Sequence, residues 1–245
     1  MKVYSPENIR NFAVVGHQAS GKTMLSEAML RCANVIQRLG SVESGSTVSD
    51  YHQSEKERQI SVHASLLHAE WEDKKFNIID TPGYLDFISE GLGALRVGDF
   101  ALVVANASNG AELGTDQVWE YATGYGIPKM IVVNGADREN VNFDEVLEDL
   151  RSHFGSQVFP MTLPINPGPG FNKVLDVMRS GEIDYSTDGS GTFSEKPAEG
   201  EWQERVKELH RELIESVAEA DDSLLETFFE QGSLSEEQLR AGVHA

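Results

Sequence analysis

The sequence predicts a three-layer α/β/α domain, with helices on both faces of a mostly parallel sheet and one antiparallel edge hairpin, joined to an α-rich part. Three observations predict it. Apolar runs such as FALVVAN (100–106) and KMIVVN (129–134) are continuous, as in strands covered on both faces, and amphipathic stretches separate them. The octapeptide GHQASGKT (16–23) stands where an apolar run gives way to a helical pattern. After about residue 157 the chain turns Pro- and Gly-rich and then acidic and helical.

The elements follow in order. FAVVG (12–16) reads as a strand feeding the glycine loop, and 22–38 as a helix. Residues 41–60 are polar and without periodicity, so they are expected to be mobile. SVHASLLHAEW (61–71) partly alternates, and KFNIID (75–80) follows a polar turn, so the two form a hairpin. A helix around 114–125 separates the two long apolar runs, and a core domain over 1–157 results. In the remaining part, 158–245, PMTLPINPGPG reads as a linker, a short helix is expected near 171–180, and YSTDGSGTFSEKPAEGE as a loop. Val206, Leu209, Leu213 and Val217 then fall at helical spacing in an acidic helix over 201–220. Two shorter helices follow, the last opened by a capping box of Ser235 and Gln238.

Composition excludes several functions. The 40 acidic against 20 basic side chains give a net charge of -20, which repels nucleic-acid phosphates, and no Lys/Arg run offsets it. No direct nucleic-acid binding is expected. No apolar run of about 18 residues is present, so no membrane span or membrane partner is expected. MKVYSPENIR at the N-terminus does not read as a signal peptide. The one cysteine, Cys32, rules out an intramolecular disulfide and reads as a small buried thiol; a cytoplasmic location is expected.

Three motifs carry the chemistry. GHQASGKT matches G-x-x-x-x-G-K-[ST] between a strand and a helix, the pattern of a P-loop nucleoside triphosphatase fold. Backbone amides of Gly16, His17, Gln18, Ala19, Ser20, Gly21, Lys22 and Thr23 would wrap phosphates. Lys22 supplies charge to the β- and γ-phosphates, Thr23 a hydroxyl to Mg²⁺, and the helix N-terminus its dipole. DTPG (80–83) ends the next strand, placing Asp80 toward Mg²⁺ through water and the Gly83 N–H toward the γ-phosphate. NGAD (134–137) ends a later strand. There Asp137 would accept from N1–H and the exocyclic amine of guanine, selecting GTP over ATP, and Asn134 would tie this loop to the P-loop. An Asx turn is the plainer reading of NGAD.

In this order the motifs resemble the GTP-binding domain of translational GTPases, most closely elongation factor G and its elongation-factor-G-like paralogs. ERQIS (57–61) is similar to the family's switch I, FNIIDTPGYLDF (76–87) and VVNGADREN (132–140) to further family segments. The resemblance implies GTP and GDP as ligands, Ser61 as the second Mg²⁺ hydroxyl, and a ribosomal partner. It also implies that the acidic helices belong to an inserted subdomain, often called G-prime, which engages the ribosomal stalk. A monomer is expected.

Three residues depart from the family pattern. Tyr84 follows DTPG where ordinary elongation factor G has the His that positions the attacking water. Its phenol has little acid–base range at neutral pH, and Tyr is what the paralogs are expected to have. Ala19 replaces a P-loop Asp, and Gly135 replaces the Lys whose stem lies along the base. Tyr84 and Lys22 are the candidate catalytic residues, and weak hydrolysis is expected. A nucleotide-dependent binding module that does not turn over, or a ribosome-protection protein, is the alternative; an ATP-using enzyme is disfavoured by Asp137. Arg58 reads as a solvated loop arginine or an arginine finger. His17 reads as a packing or backbone-orienting group. His63 and His68 fall on opposite strand faces, which argues against a shared metal. Trp71, Trp119 and Trp202 read as core or rim residues.

The resemblance places a last guanine contact, Ser-Ala on a final strand, beyond Ala245, so the chain is expected to be an N-terminal fragment that retains nucleotide poorly. Calorimetry with GDP checks this: weak binding is expected, and submicromolar binding contradicts it.

Overall fold

The computed structural model describes residues 2–188, 191–219 and 221–244. The chain forms two compact units, Met1–Ala136 with Asp144–Gly155, and Asp137–Phe143 with Ser156–Ala245.

The first unit is built on a five-stranded sheet of β1 (Ile9–Val15), β2 (Ser65–Trp71), β3 (Lys74–Asp80), β4 (Phe100–Asn106) and β5 (Lys129–Asn134), in the order β2-β3-β1-β4-β5. Only the β2–β3 pair is antiparallel, and it forms the edge hairpin. Helices α1 (Lys22–Cys32), α2 (Gln53–Arg58), α3 (Ile88–Val97), α4 (Leu113–Gly124) and α5 (Phe143–Phe154) complete the unit. Alternation along the central strands sorts residues to two cores. Phe12, Val14, Leu102 and Val104 pack on one side with Leu30 of α1, and Ala13, Val15, Ala101 and Val103 on the other with Leu95 of α3 and Val118 of α4. The consequence is positional: β1, β3 and β5 all end at the same edge of the sheet, delivering Gly16, Asp80 and Asn134 there.

The second unit has a four-stranded antiparallel sheet of β6 (Thr162–Pro164), β7 (Lys173–Asp176), β8 (Gly181–Tyr185) and β9 (Phe193–Pro197), followed by α6 (Glu201–Glu219), α7 (Asp222–Gln231) and α8 (Glu236–His244). Val206, Leu213, Ile214 and Val217 of α6 bury against Leu163, Leu175 and Val177. The α8 start is a capping box, with Ser235 N donating to Gln238 Oε1 at 2.9 Å and Gln238 N to Ser235 Oγ at 3.2 Å. Among the described residues no helix is long and apolar enough to cross a membrane.

Five expectations are corrected. The helix expected over 22–38 ends at Cys32, because Asn34 takes a left-handed conformation (φ 57°) and Val35 N donates back to Leu30 O at 2.9 Å, a Schellman stop. Cys32 is exposed rather than buried, since the buried face of α1 is set by Thr23, Ser26, Glu27 and Leu30 and position 32 falls opposite. The strand expected from 61 begins at Ser65, the preceding N–H groups of Val62 and His63 being taken by Glu55. The helix near 171–180 is strand β7, whose Val174 and Leu175 suit a pleated surface, and the loop after it holds β9. The α-rich part is therefore three helices with a sheet.

Leu175 is fully buried beside the helix that carries Trp202. Leu175→Ala is expected to cost about 2–5 kcal/mol. Urea unfolding followed by tryptophan fluorescence checks it, and an unchanged midpoint contradicts the packing described.

Candidate functional site

The loop after β1 is shaped by backbone conformation. Gly16 has φ 140°, and a Cβ there would strike the Val104 carbonyl of β4. Gly21, the N-cap of α1, has φ 92°, and a Cβ there would strike the Asn134 amide. Among the described residues no side chain caps α1, so its first N–H groups remain available to an anion. Between the glycines, Gln18 and Ala19 are exposed while Ser20 is buried with its hydroxyl unpartnered. Ala19 itself is left-handed (φ 57°), a region in which Asp is better tolerated than Ala.

Lys22 is buried and its ammonium donates to the His17 carbonyl at 2.7 Å, folded back onto its own loop. Burial pulls its pKa down to about 8, against the opposing charges of Asp80 and Glu112. Gly83 lies against this group: a Cβ there would meet Lys22 Nζ, His17 O and Gln18 Cα. The DTPG turn and the glycine loop are thus in contact through glycine backbone.

Asp80 ends β3 almost completely buried, and among the described residues both carboxylate oxygens lack a hydrogen-bond partner. Burial pushes its pKa up to about 6. The hydroxyls of Ser49 and Thr23 and the charge of Lys22 oppose that shift, yet neither hydroxyl takes up hydrogen-bonding geometry with the carboxylate. Thr23 Oγ1 lies 3.2 Å from Ser61 Oγ. An unpartnered buried carboxylate is costly unless a cation or donors neutralise it. Asp80 with the Thr23 hydroxyl near it, and Ser61 Oγ within reach of that hydroxyl, is a hard oxygen set of the kind that suits Mg²⁺.

The flanking groups are also fixed. Asn134 Nδ2 donates to Ser20 O at 2.9 Å, joining the end of β5 to the loop. The His17 ring accepts from Gly114 N at 3.2 Å through Nδ1, and its Nε2 faces Glu112 at 3.6 Å, so the loop is braced on the start of α4. That arrangement assigns the proton to Nε2. Asp137 is exposed and opens the second unit, three residues past β5, so it is not among the groups the first unit gathers. Gly135 has φ 84°, a conformation that a lysine would adopt only under strain. Tyr84 is 37% exposed, and among the described residues its hydroxyl makes no hydrogen bond. Arg58 is exposed on α2.

Sequence reasoning missed the carboxylates that organise residues 40–64. Glu27 accepts from Gly40 N and Val48 N, Glu55 from His52 N, Val62 N and His63 N, and Glu90 from Ala64 N. The segment expected to be mobile is therefore held, and it includes a helix, α2. One signal was present: Glu27 stands four residues after Thr23, an acidic residue on the face that α1 buries.

The family model described as the elongation factor Tu GTP binding domain matches residues 7–236. The crystal structure of ttk003000868 from Thermus thermophilus is similar with a TM-score of 0.88 and 34% sequence identity, over 96% of this chain. The chain spans 35% of the length of that Thermus chain.

Two substitutions in the glycine loop should act with opposite sign. Ala19→Gly relieves a left-handed alanine and is expected to stabilise by about 1 kcal/mol. Gly21→Ala is expected to destabilise, as its Cβ has no room beside Asn134. Urea denaturation of both variants checks this; shifts of the same sign contradict it.

Proposed function

This chain belongs to the family of elongation factor Tu GTP-binding domains, as a translational GTPase domain of the elongation-factor-G type, and from that premise we propose that it holds Mg²⁺ with GTP at residues 16–23 and acts on the ribosome. The observation that carries the reading is the buried, unpartnered Asp80 carboxylate beside the Lys22 ammonium and the Thr23 hydroxyl. A site of that charge pattern is complete only when an anion and a cation enter together.

In this reading the first-turn amides of α1 and the loop amides take the phosphate oxygens. Lys22 leaves the His17 carbonyl for the β- and γ-phosphates, and that exchange costs little because one oxygen acceptor replaces another. The Gly83 N–H meets the γ-phosphate, since glycine alone leaves the space. Thr23, Ser61 and Asp80 would hold Mg²⁺, which when bound neutralises charge on the phosphate oxygens. Asp137 would accept from the guanine edge, and Asn134 holds the loop before it in place.

Hydrolysis is proposed to be weak. Tyr84 offers a phenol where a histidine would orient water, and Ala19 brings no polar group to the loop. Loss of a water-orienting group costs roughly 10²–10⁴ in rate. The second unit, with its acidic α6, is proposed as the inserted subdomain that meets the ribosomal stalk, in a monomer working in the cytoplasm.

Titration with GTP, GDP and ATP, with and without ribosomes, tests the proposal. Guanine nucleotides are expected to bind more tightly than ATP and only when Mg²⁺ is present. Ribosome-stimulated formation of GDP is expected to be slow, and Tyr84→His to raise it. Preference for ATP would overturn the guanine assignment, and no gain with Tyr84→His would remove Tyr84 as the cause of slow turnover.

A further inference from the structure

Two residues at the start of α4 depart from what a helix start favours. Glu112 is the N-cap, a position that prefers Ser, Thr, Asp or Asn, and its side chain does not cap the helix. Gly114 stands in the first turn, where glycine costs about 1 kcal/mol relative to alanine. Its backbone is helical, so no left-handed turn demands glycine there.

One neighbour accounts for both departures. Gly114 N donates to His17 Nδ1 at 3.2 Å. A Cβ on Gly114 would stand 2.8 Å from that nitrogen and 3.0 Å from His17 Cα, inside van der Waals contact. The Glu112 carboxylate turns to the other nitrogen of the same ring, 3.6 Å from Nε2, and accepts from Asn109 Nδ2 at 3.1 Å. The helix forgoes a capping side chain and a Cβ, and both changes serve one imidazole.

His17 is also where three segments of the site meet. Its ring is held by α4, and its carbonyl accepts from the Lys22 ammonium at 2.7 Å and from Ser20 N at 3.4 Å. A Cβ on Gly83 would stand 2.7 Å from the same oxygen, so the DTPG turn lies against it. Ring and carbonyl belong to one residue, so holding the ring constrains the peptide that follows. The far end of the loop is tied by Asn134, whose Nδ2 donates to Ser20 O at 2.9 Å. Residues 17–20 are therefore strung between two anchors, one at the end of β5 and one at the start of α4.

We propose that Gly114 is a positioning residue of the phosphate site, acting through His17. Its N–H orients the imidazole, and its missing Cβ lets the glycine loop seat on α4. That seating sets the loop amides and the Lys22 ammonium. The proposal rests on the nucleotide site proposed above, and it adds to that site a residue outside GHQASGKT, DTPG and NGAD.

Binding of fluorescent GDP with Mg²⁺ to the 245-residue chain tests it. Gly114→Ala puts a better helix former into α4, and a glycine that served the helix alone would leave binding unchanged. The positioning role predicts binding weakened about tenfold or more, because small misplacements of a site are costly. His17→Ala should weaken binding to a similar degree. His17→Asn should recover most of that loss, since its Oδ1 can accept from Gly114 N in place of Nδ1. The double variant of Gly114→Ala and His17→Ala should bind about as well as either single variant, as two residues acting through one contact do. Nitrogen NMR of the free wild type should show a single His17 tautomer, with the proton on Nε2. Unchanged binding in a folded Gly114→Ala overturns the proposal, as do losses that add in the double variant or a His17→Asn no better than His17→Ala. A wild-type ring that averages between tautomers overturns it even where no variant folds. A wild type that binds no guanine nucleotide removes the nucleotide site and this proposal together, whereas wild-type binding that the variants share removes this proposal alone.

Discussion

A carboxylate buried without a donor is the constraint on which the first unit turns. Asp80 sits at the end of a strand, inside the protein, with neither oxygen hydrogen-bonded. Left alone it costs stability, which is why burial raises its affinity for a proton. The neighbouring elements are arranged around that cost without removing it. Lys22 is close enough to matter electrostatically but is engaged with His17 O, and the Thr23 and Ser61 hydroxyls face each other. Stability has been given up locally at a place where a bound ion would restore it, a pattern found where binding sites are pre-organised.

The surroundings hold this arrangement from several directions. Asn134 pulls the loop toward β5, His17 braces it on α4, and the absence of a side chain at Gly83 lets the DTPG turn approach. Residues 40–64 are held by glutamates on three different helices, α1, α2 and α3. Acidic side chains are abundant in this chain, yet these three serve as acceptors for backbone amides rather than as surface charge. Net charge alone conceals that division of labour.

What the sequence revealed and what it hid follow from the range of the forces involved. GHQASGKT, DTPG and Asn134 were legible as local patterns at strand ends, and β4 and β5 because continuous apolar runs bounded by polar residues leave few alternatives; Asp137, exposed in the second unit, was not placed with them. The hairpin of β2 and β3 was legible from alternation across a polar turn. Glu27 and Glu55 were hidden because their partners are backbone amides, which leave no mark on sequence. Strand β7 was misread because Val174 and Leu175 sit in a stretch too short to show a period, and its pairing with β6 and β8 decides its conformation. The stop after Cys32 needed only Asn34, a residue suited to left-handed backbone, and was available to a closer reading.

The most direct test of the central constraint is the Mg²⁺ dependence of thermal stability in Asp80→Asn. The free variant is expected to be at least as stable as the wild type, since a neutral amide replaces a buried charge without a donor. Mg²⁺ with GDP should raise the melting temperature of the wild type far more than GDP alone, and the variant should lose that Mg²⁺-dependent increment. A variant that is less stable when free, yet gains as much from Mg²⁺ as the wild type, would show that Asp80 is an ordinary structural carboxylate and that the cation is held elsewhere.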